Sequence, residues 1–283
     1  MDRKIVYKIE EGTDPSQVYC TTYQMRNFFQ QFADGFFSSL DVMNYIQHHA
    51  AVLKLKKDWR VLDVCCGRGL LLPLIRWYKS DISEYVGVDI SEANINAQKK
   101  RSGIHLIDNM EEYYPFKVTH QIGSVEDMDQ FFKARSFDFI VYTSAIEHMQ
   151  KSVGFKSLQN CFRLLKPGHE MFLSCPNTTN KKHEYETQYA AHVYEWDIHE
   201  LREALLQIGF VIKEEYGLVG KVKNFEKWML NQKDKSIVKQ YYALKKYLPT
   251  NWLMAFMPIL YPESAAEVLI IIERPESNKR KLF

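Results

Sequence analysis

Three carboxylates, two glycines and two histidines stand where chemistry is possible in this sequence. Asp63 sits inside a short β-rich run (Val61, Leu62, Val64), followed at once by Gly67 and Gly69 at alternate positions. A strand, a glycine turn and the start of a helix bring backbone N–H groups and a helix N-terminus against a polar ligand. Asp89 ends a second β-rich run, Tyr85 to Ile90, twenty positions past Gly69. A carboxylate there can accept the hydroxyls of a ribose. The dinucleotide fingerprint has a third glycine where the helix packs on the strand; Leu72 holds that place, and Asp63 is no part of that pattern. Further on, Glu147-His148 follows a hydrophobic strand, and His192 opens the run HVYEW. Imidazole beside carboxylate suits proton transfer near neutral pH, and the same groups suit a divalent ion.

The elements that must position these residues follow from periodicity. Strands are expected at Val61–Val64, Tyr85–Ile90, Lys117–Ile122, Phe137–Tyr142, Glu170–Ser174, Phe210–Tyr216 and Glu267–Glu273, with helical stretches between most of them. That alternation predicts an α/β fold around a doubly wound, mostly parallel seven-stranded sheet. Ser91 is an N-cap for a helix through Lys100, and Asp197 caps a helix with inner face Ile198, Leu201, Leu205 and Ile208. Glu200 completes a capping box there and Gly209 is a C-cap glycine. Lys166-Pro167-Gly168 reads as a turn ahead of the fifth strand.

Two amphipathic stripes precede the first strand. Met25, Phe28, Phe29 and Phe32 form one; Leu40, Met43, Ile46, Ala50 and Leu53 form the other. Residues 1–55 are therefore taken as an arm and helical cap, and 56–283 as the core. His48-His49 reads as a solvated face of the second cap helix. Residues 217–265, before the last strand, carry further helical stripes and read as an inserted lid. Trp228, Trp252, Phe256 and Tyr261 there suggest an enclosed, partly apolar pocket, although plain core packing produces the same stripe.

Composition narrows the class. The chain has 283 residues, 46% hydrophobic and 25% charged, with a formal charge of +2. This fits a soluble globular protein and gives no long-range field for nucleic acid. No apolar run suits a signal peptide or a membrane span, and five cysteines without CxxC spacing point to a reducing, cytoplasmic setting.

At this point the motifs resemble a family. LDVCCGRG is similar to the first motif of class I S-adenosylmethionine-dependent methyltransferases, and YVGVDIS to their acidic second motif. GSVEDM, FDFIVYTSAIEHM and LLKPGHEMFLSCPN follow in the family's order. The resemblance implies a Rossmann-like sheet with an antiparallel seventh strand beside the fifth, and S-adenosylmethionine as cofactor. It implies a cofactor site made of Asp63, Cys65, Gly67, Gly69, Asp89, Ile90, Ser124, Val125, Glu126 and Tyr142. Cys65 stands in place of the family's first loop glycine, and Ser124 in place of its usual Asp.

The acceptor is expected to be a small or medium-sized molecule methylated at a hydroxyl, with no nucleic acid partner. His148, Glu147 and His192 are the expected catalytic residues, with His148 as base or as a helix-supporting residue. The pair Glu147-His148 followed by His192 also resembles metal-dependent 2′-O-methyltransferases of RNA and the O-methyltransferases of ubiquinone synthesis. Their extra Glu, three residues before the pair, is Ser144 here, and the first expectation is a site without metal. A non-catalytic member that binds a partner through the insertion is the third reading.

Overall fold

The computed structural model describes residues 39–79, 81–99, 101–102, 105–106, 114–178, 187 and 191–276. The N-terminal arm, the Met25–Phe32 stripe and the basic tail lie outside the described residues. Seven strands form the sheet: β1 (Arg60–Val64), β2 (Glu84–Asp89), β3 (Lys117–Ile122), β4 (Phe137–Thr143), β5 (Leu165–Pro176), β6 (Val211–Gly217) and β7 (Glu267–Arg274). Their order is β3-β2-β1-β4-β5-β7-β6. β1 to β5 pair in parallel, while β7 runs antiparallel to both β5 and β6. This is the expected sheet, including the reversed strand beside the fifth.

Burial explains which residues take which strand. All six residues of β2 are buried, as a strand covered on both faces requires. β3, at the sheet edge, is only partly covered. Side chains of β1 alternate between two cores: Leu62 and Val64 pack on one face, Val61 on the other. Beginning from β1, the chain winds one way to β2 and β3, then returns to place β4 on the other side. The gap between the carboxyl ends of β1 and β4 is thus the topological switch point, where open α/β sheets hold ligands.

Helices α1 (Ser39–Lys54), α2 (Leu71–Tyr78), α3 (Glu92–Lys99), α4 (Lys151–Leu164) and α5 (Ile198–Ile208) flank this sheet. Ser91 caps α3 by accepting from the Asn94 N–H, and Asp197 caps α5 by accepting from the His199 N–H. Gly209 closes α5 in the left-handed region at φ 112°. Two local expectations differ. Glu200 accepts from the Tyr194 hydroxyl and pairs with Lys151 rather than completing a capping box. Lys166-Pro167-Gly168 is a bulge inside β5, because pairing with β4 begins at Leu165 and resumes at Glu170.

The stretch between β6 and β7 forms α6 (Val222–Asn231), α7 (Ser236–Leu244) and α8 (Thr250–Leu260). They share a small core of Phe225, Met229, Ile237, Tyr241, Leu253, Met254 and Met257. α8 also packs on α1 through Ala255 and Val42, with Trp252 and Ile46 alongside. It lies so close to the end of β6 that a Cβ on Gly217 would come within 2.3 Å of the Pro258 carbonyl oxygen. The insertion therefore buttresses the cap helix. Among the described residues, no helix is long and apolar enough to cross a membrane.

Candidate active site

The glycine turn is built on alternating left-handed backbone: Cys65 at φ 55°, Gly67 at φ 52° and Gly69 at φ 76°. Cys65 occupies a conformation that glycine adopts freely and a side-chain-bearing residue does not, which accounts for the family's glycine at that place. The two glycines serve different ends. A Cβ on Gly69 would meet Gln98 Oε1 at 2.6 Å, so this glycine admits α3 against the loop. A Cβ on Gly67 would meet nothing within 4 Å, so this glycine faces the open side, where a ligand can come up to the backbone. Only Gly67 fits the role expected of both.

Two acids brace the turn. Asp89 is buried at the end of β2; its Oδ2 accepts from the Gly67 N–H at 2.9 Å and its Oδ1 from the Ser91 N–H at 2.8 Å. The Asn94 amide reaches Oδ1 at 3.4 Å. Asp63 is buried too and accepts from the Tyr85 hydroxyl at 2.7 Å. Burial pushes its carboxyl up to about 7; the Tyr85 hydrogen bond opposes this and the charge of Asp89 adds to it. Gln98, nearly fully buried, donates to the Gly67 carbonyl at 2.5 Å and holds the loop from α3. Neither residue carries a signal in the sequence, since Tyr85 reads as one more apolar strand residue and Gln98 as one more polar residue of a polar helix.

A cleft of about 350 Å³ opens between this loop and the end of β4. Asp63, Cys65, Cys66, Gly67 and Arg68 form one wall, Thr143 and Ser144 another. Asn44, Gln47 and His48 of α1 close it. This corrects the reading of His48-His49 as a solvated face. His48 is 8% exposed, and His49 stacks on Tyr45 and edges onto Tyr78. The reason is tertiary: α1 lies across the switch point, so its polar face is turned inward. Burial pushes both Cys65 and Cys66 thiols up, so neither is a ready nucleophile.

The adenine-side residues are split. Ile90 is 76% exposed at the end of β2, and Ile122, opposite Asp89 in the pairing with β3, is also exposed. Ser124 caps the turn Val125–Asp127 by accepting from the Glu126 N–H, and Glu126 is exposed. Val125 is buried in the core, its carbonyl held by Asn160 at 2.9 Å. Tyr142 does not line the cleft: it is fully buried, with its hydroxyl at Ser157 Oγ and Met149 Sδ. Strand alternation turns it to the far face, and Thr143 takes its expected place.

Glu147, His148 and His192 do come together. The Glu147 carbonyl accepts from the Val193 and Tyr194 N–H groups, which lays the HVYEW segment beside the turn after β4. The rings of His148 and His192 are 5.0 Å apart and nearly perpendicular. Ligand atoms of all three residues lie within 4.8 Å of one another. Glu147 is 2% exposed and its Oε2 has no hydrogen-bond partner. Burial, with the charge of Glu195, pushes its carboxyl up to about 7. An orphaned buried carboxylate oxygen beside two imidazoles is a donor set that fits a divalent cation. Glu195, fully buried, accepts from His192 Nδ1 at 2.6 Å and from the Thr178 hydroxyl at 2.7 Å, so His192 presents Nε2.

Of the aromatics expected to enclose a partly apolar pocket, Trp228 lines a cavity of about 870 Å³ with mixed walls, where Ile198 and Val268 stand beside Asn177, Arg202 and Glu215. Trp252 and Tyr261 pack into the insertion's cores, and Phe256 is exposed.

Comparisons with known proteins bear on this arrangement. A family model described as a methyltransferase domain matches residues 40–215. The chain is 29% identical over 138 residues to the ubiquinone biosynthesis O-methyltransferase of Coxiella burnetii, covering 49% of this chain and 52% of that protein. It is 26% identical over 189 residues to the protein of that name in Parvibaculum lavamentivorans, covering 62% and 68%. The chain thus spans about half the length of the first of these relatives. Among solved structures, a SAM-dependent methyltransferase from Archaeoglobus fulgidus superposes with a TM-score of 0.53 at 19% identity, covering 87% of this chain and 98% of that one. The [4+2]-cyclase SpnF superposes with a TM-score of 0.54 at 15% identity, covering 82% and 81%. Likeness at that identity speaks for the fold alone.

Proposed function

This chain belongs to the class I S-adenosylmethionine-dependent methyltransferases, and on that premise we propose that it methylates a hydroxyl oxygen of a small or medium-sized molecule. When bound, S-adenosylmethionine supplies an electrophilic methyl group on a sulfonium. The observation that carries the reading is the Asp89–Gly67 hydrogen bond, which fixes the loop with the bare face of Gly67 toward the cleft. Asp89 has about four lone-pair sites; three are used within the chain, leaving one for a ribose hydroxyl. The exposed Ile90 and Ile122 are assigned to the adenine, with Ser124 and Glu126 at its edge. Gly69 and Asp63 act on the cofactor through the loop, and Cys65 lines the cleft with its thiol protonated.

Glu147, His148 and His192, which gather after the end of β4 but do not line this cleft, are assigned to holding the acceptor. The choice of oxygen is supported by relatives whose names state O-methylation. The cap, residues 1–55, and the insertion, 217–265, are taken as the additions that shape the acceptor's entry to the core, 56–283. No basic module favours nucleic acid, and the reduced cysteines suit the cytoplasm. Titration calorimetry with S-adenosylmethionine and S-adenosylhomocysteine tests the proposal directly. Absence of binding would make a partner-binding, non-catalytic role the leading account.

One observation favours a second reading, in which a divalent ion joins the acceptor to the protein. It is the orphaned Glu147 oxygen beside His148 and His192. A cation would neutralise the carboxylate and lower the pKa of a bound hydroxyl. Elemental analysis of the purified protein without a stoichiometric ion, and turnover indifferent to EDTA, would remove it.

A further inference from the structure

We propose that His48 of the cap helix is the imidazole that removes the acceptor's hydroxyl proton, an inference that rests on the methyltransferase reading of the cleft. The argument begins with the ring's two nitrogens. Nδ1 lies 2.6 Å from the Asn44 carbonyl oxygen. A carbonyl only accepts, so Nδ1 carries the hydrogen and Nε2 is left with its lone pair. Nε2 is directed at the end of β4, with the Thr143 hydroxyl at 3.3 Å, and His48 and Thr143 both line the cleft.

The helix turn that carries the ring is itself fixed. Gln47, its neighbour, donates to Asn44 Oδ1 at 3.0 Å and to Ser144 Oγ at 3.3 Å, and accepts from Ser174 Oγ at 2.7 Å. α1 is backed by α8. Nδ1 is committed to a backbone carbonyl, while Nε2 meets a rotatable hydroxyl that an incoming acceptor can replace. Burial also lowers the pKa of His48 below its usual value, keeping it neutral and able to accept a proton. The other ionisable groups on this cleft are Asp63, Cys65, Cys66 and Arg68. By contrast, Glu147, His148 and His192 do not line it.

The step balances. The acceptor's O–H proton passes to Nε2 as its oxygen pair takes the methyl carbon. The carbon–sulfur bond breaks with its pair left on sulfur. The positive charge lost at sulfur reappears on the His48 imidazolium, which then releases the proton to solvent.

The test uses the full chain saturated with S-adenosylhomocysteine, with catechol as the hydroxyl probe. Long-range ¹H–¹⁵N spectra of histidine-labelled protein are expected to show His48 as the neutral Nδ1–H tautomer at neutral pH, with its Nε2 resonance moved by catechol. In methyl transfer to catechol, His48→Gln is expected to lower kcat by about a hundredfold or more while S-adenosylhomocysteine affinity is retained. The Nε2–H tautomer, an Nε2 signal indifferent to catechol, or an unchanged kcat would each overturn the assignment and leave the cofactor reading standing. Failure of wild-type protein to bind S-adenosylhomocysteine would overturn both.

Discussion

The Ser174 hydroxyl donates to Gln47 Oε1 at 2.7 Å, joining the cap helix to the fifth strand of the sheet. Gln47 is 0% exposed and its amide also reaches Asn44 and Ser144, so one side chain ties α1, the end of β4 and β5 together. Gln47→Leu keeps the volume and leaves the buried Ser174 hydroxyl without the acceptor for its proton. A loss of about 1–3 kcal/mol is expected, the cost of leaving a buried polar group unsatisfied. Urea unfolding with an unchanged m-value would measure it; equal stability would mean that water replaces the amide.

Asp89 anchors the loop through charge-assisted bonds to the Gly67 and Ser91 N–H groups. Asp89→Ala orphans both donors and is expected to weaken S-adenosylmethionine binding at least about tenfold, equivalent to ~1.4 kcal/mol. Calorimetry giving wild-type affinity would show that the loop holds its shape without this acid.

The loop's backbone predicts opposite tolerance at two neighbouring positions. Cys65→Gly removes a left-handed strain of about 1–2 kcal/mol, offset in part by the added chain entropy of glycine, so melting is expected to change little and cofactor binding to persist. Gly69→Ala puts a Cβ within 2.6 Å of Gln98 at φ 76° and is expected to lower stability by about 1–3 kcal/mol. Thermal melts of the two variants side by side decide the point.

Two acids impose a pH trend on stability. Burial raises Asp63 to about 7, and raises Glu267, aided by the charges of Glu147 and Glu195, to about 8. Between their ordinary carboxylate values and these, the folded chain keeps protons that the unfolded chain has released. Their contribution is therefore full at acid pH, falls as pH rises through the raised values, and is flat above them. Glu267 Oε2 also lacks a partner. Glu267→Gln is thus expected to raise stability at pH 8 by about 1–3 kcal/mol and to leave it nearly unchanged at pH 4. Unfolding midpoints at the two pH values check both halves; a uniform shift would contradict the buried-charge account.

How far the sequence reached can be judged from particular residues. The turn after β1, the acid at the end of β2 and the grouping of Glu147, His148 and His192 were readable. Each depends on a short run whose local conformation places it at a strand end, and strand ends gather at one edge of a parallel sheet. The reversed β7 beside β5 was readable only through resemblance, because nothing in EVLIIIE marks its direction.

The rest was settled by packing between distant segments. Tyr142 belongs to the core because strand alternation at β4 turns it away from the cleft. Trp252 belongs to the α8–α1 contact rather than to a pocket wall. His48 and His49 read as a solvated face because their neighbours in sequence give no sign that another element covers them. Helical periodicity shows that a helix has two faces, while which polar side chains become buried depends on where that helix lands. The sequence by itself determined the sheet, its glycine turn and the donor it suits. Only the tertiary structure decided that the cap helix lies across the switch point, putting Gln47 and His48 on the wall of the cleft.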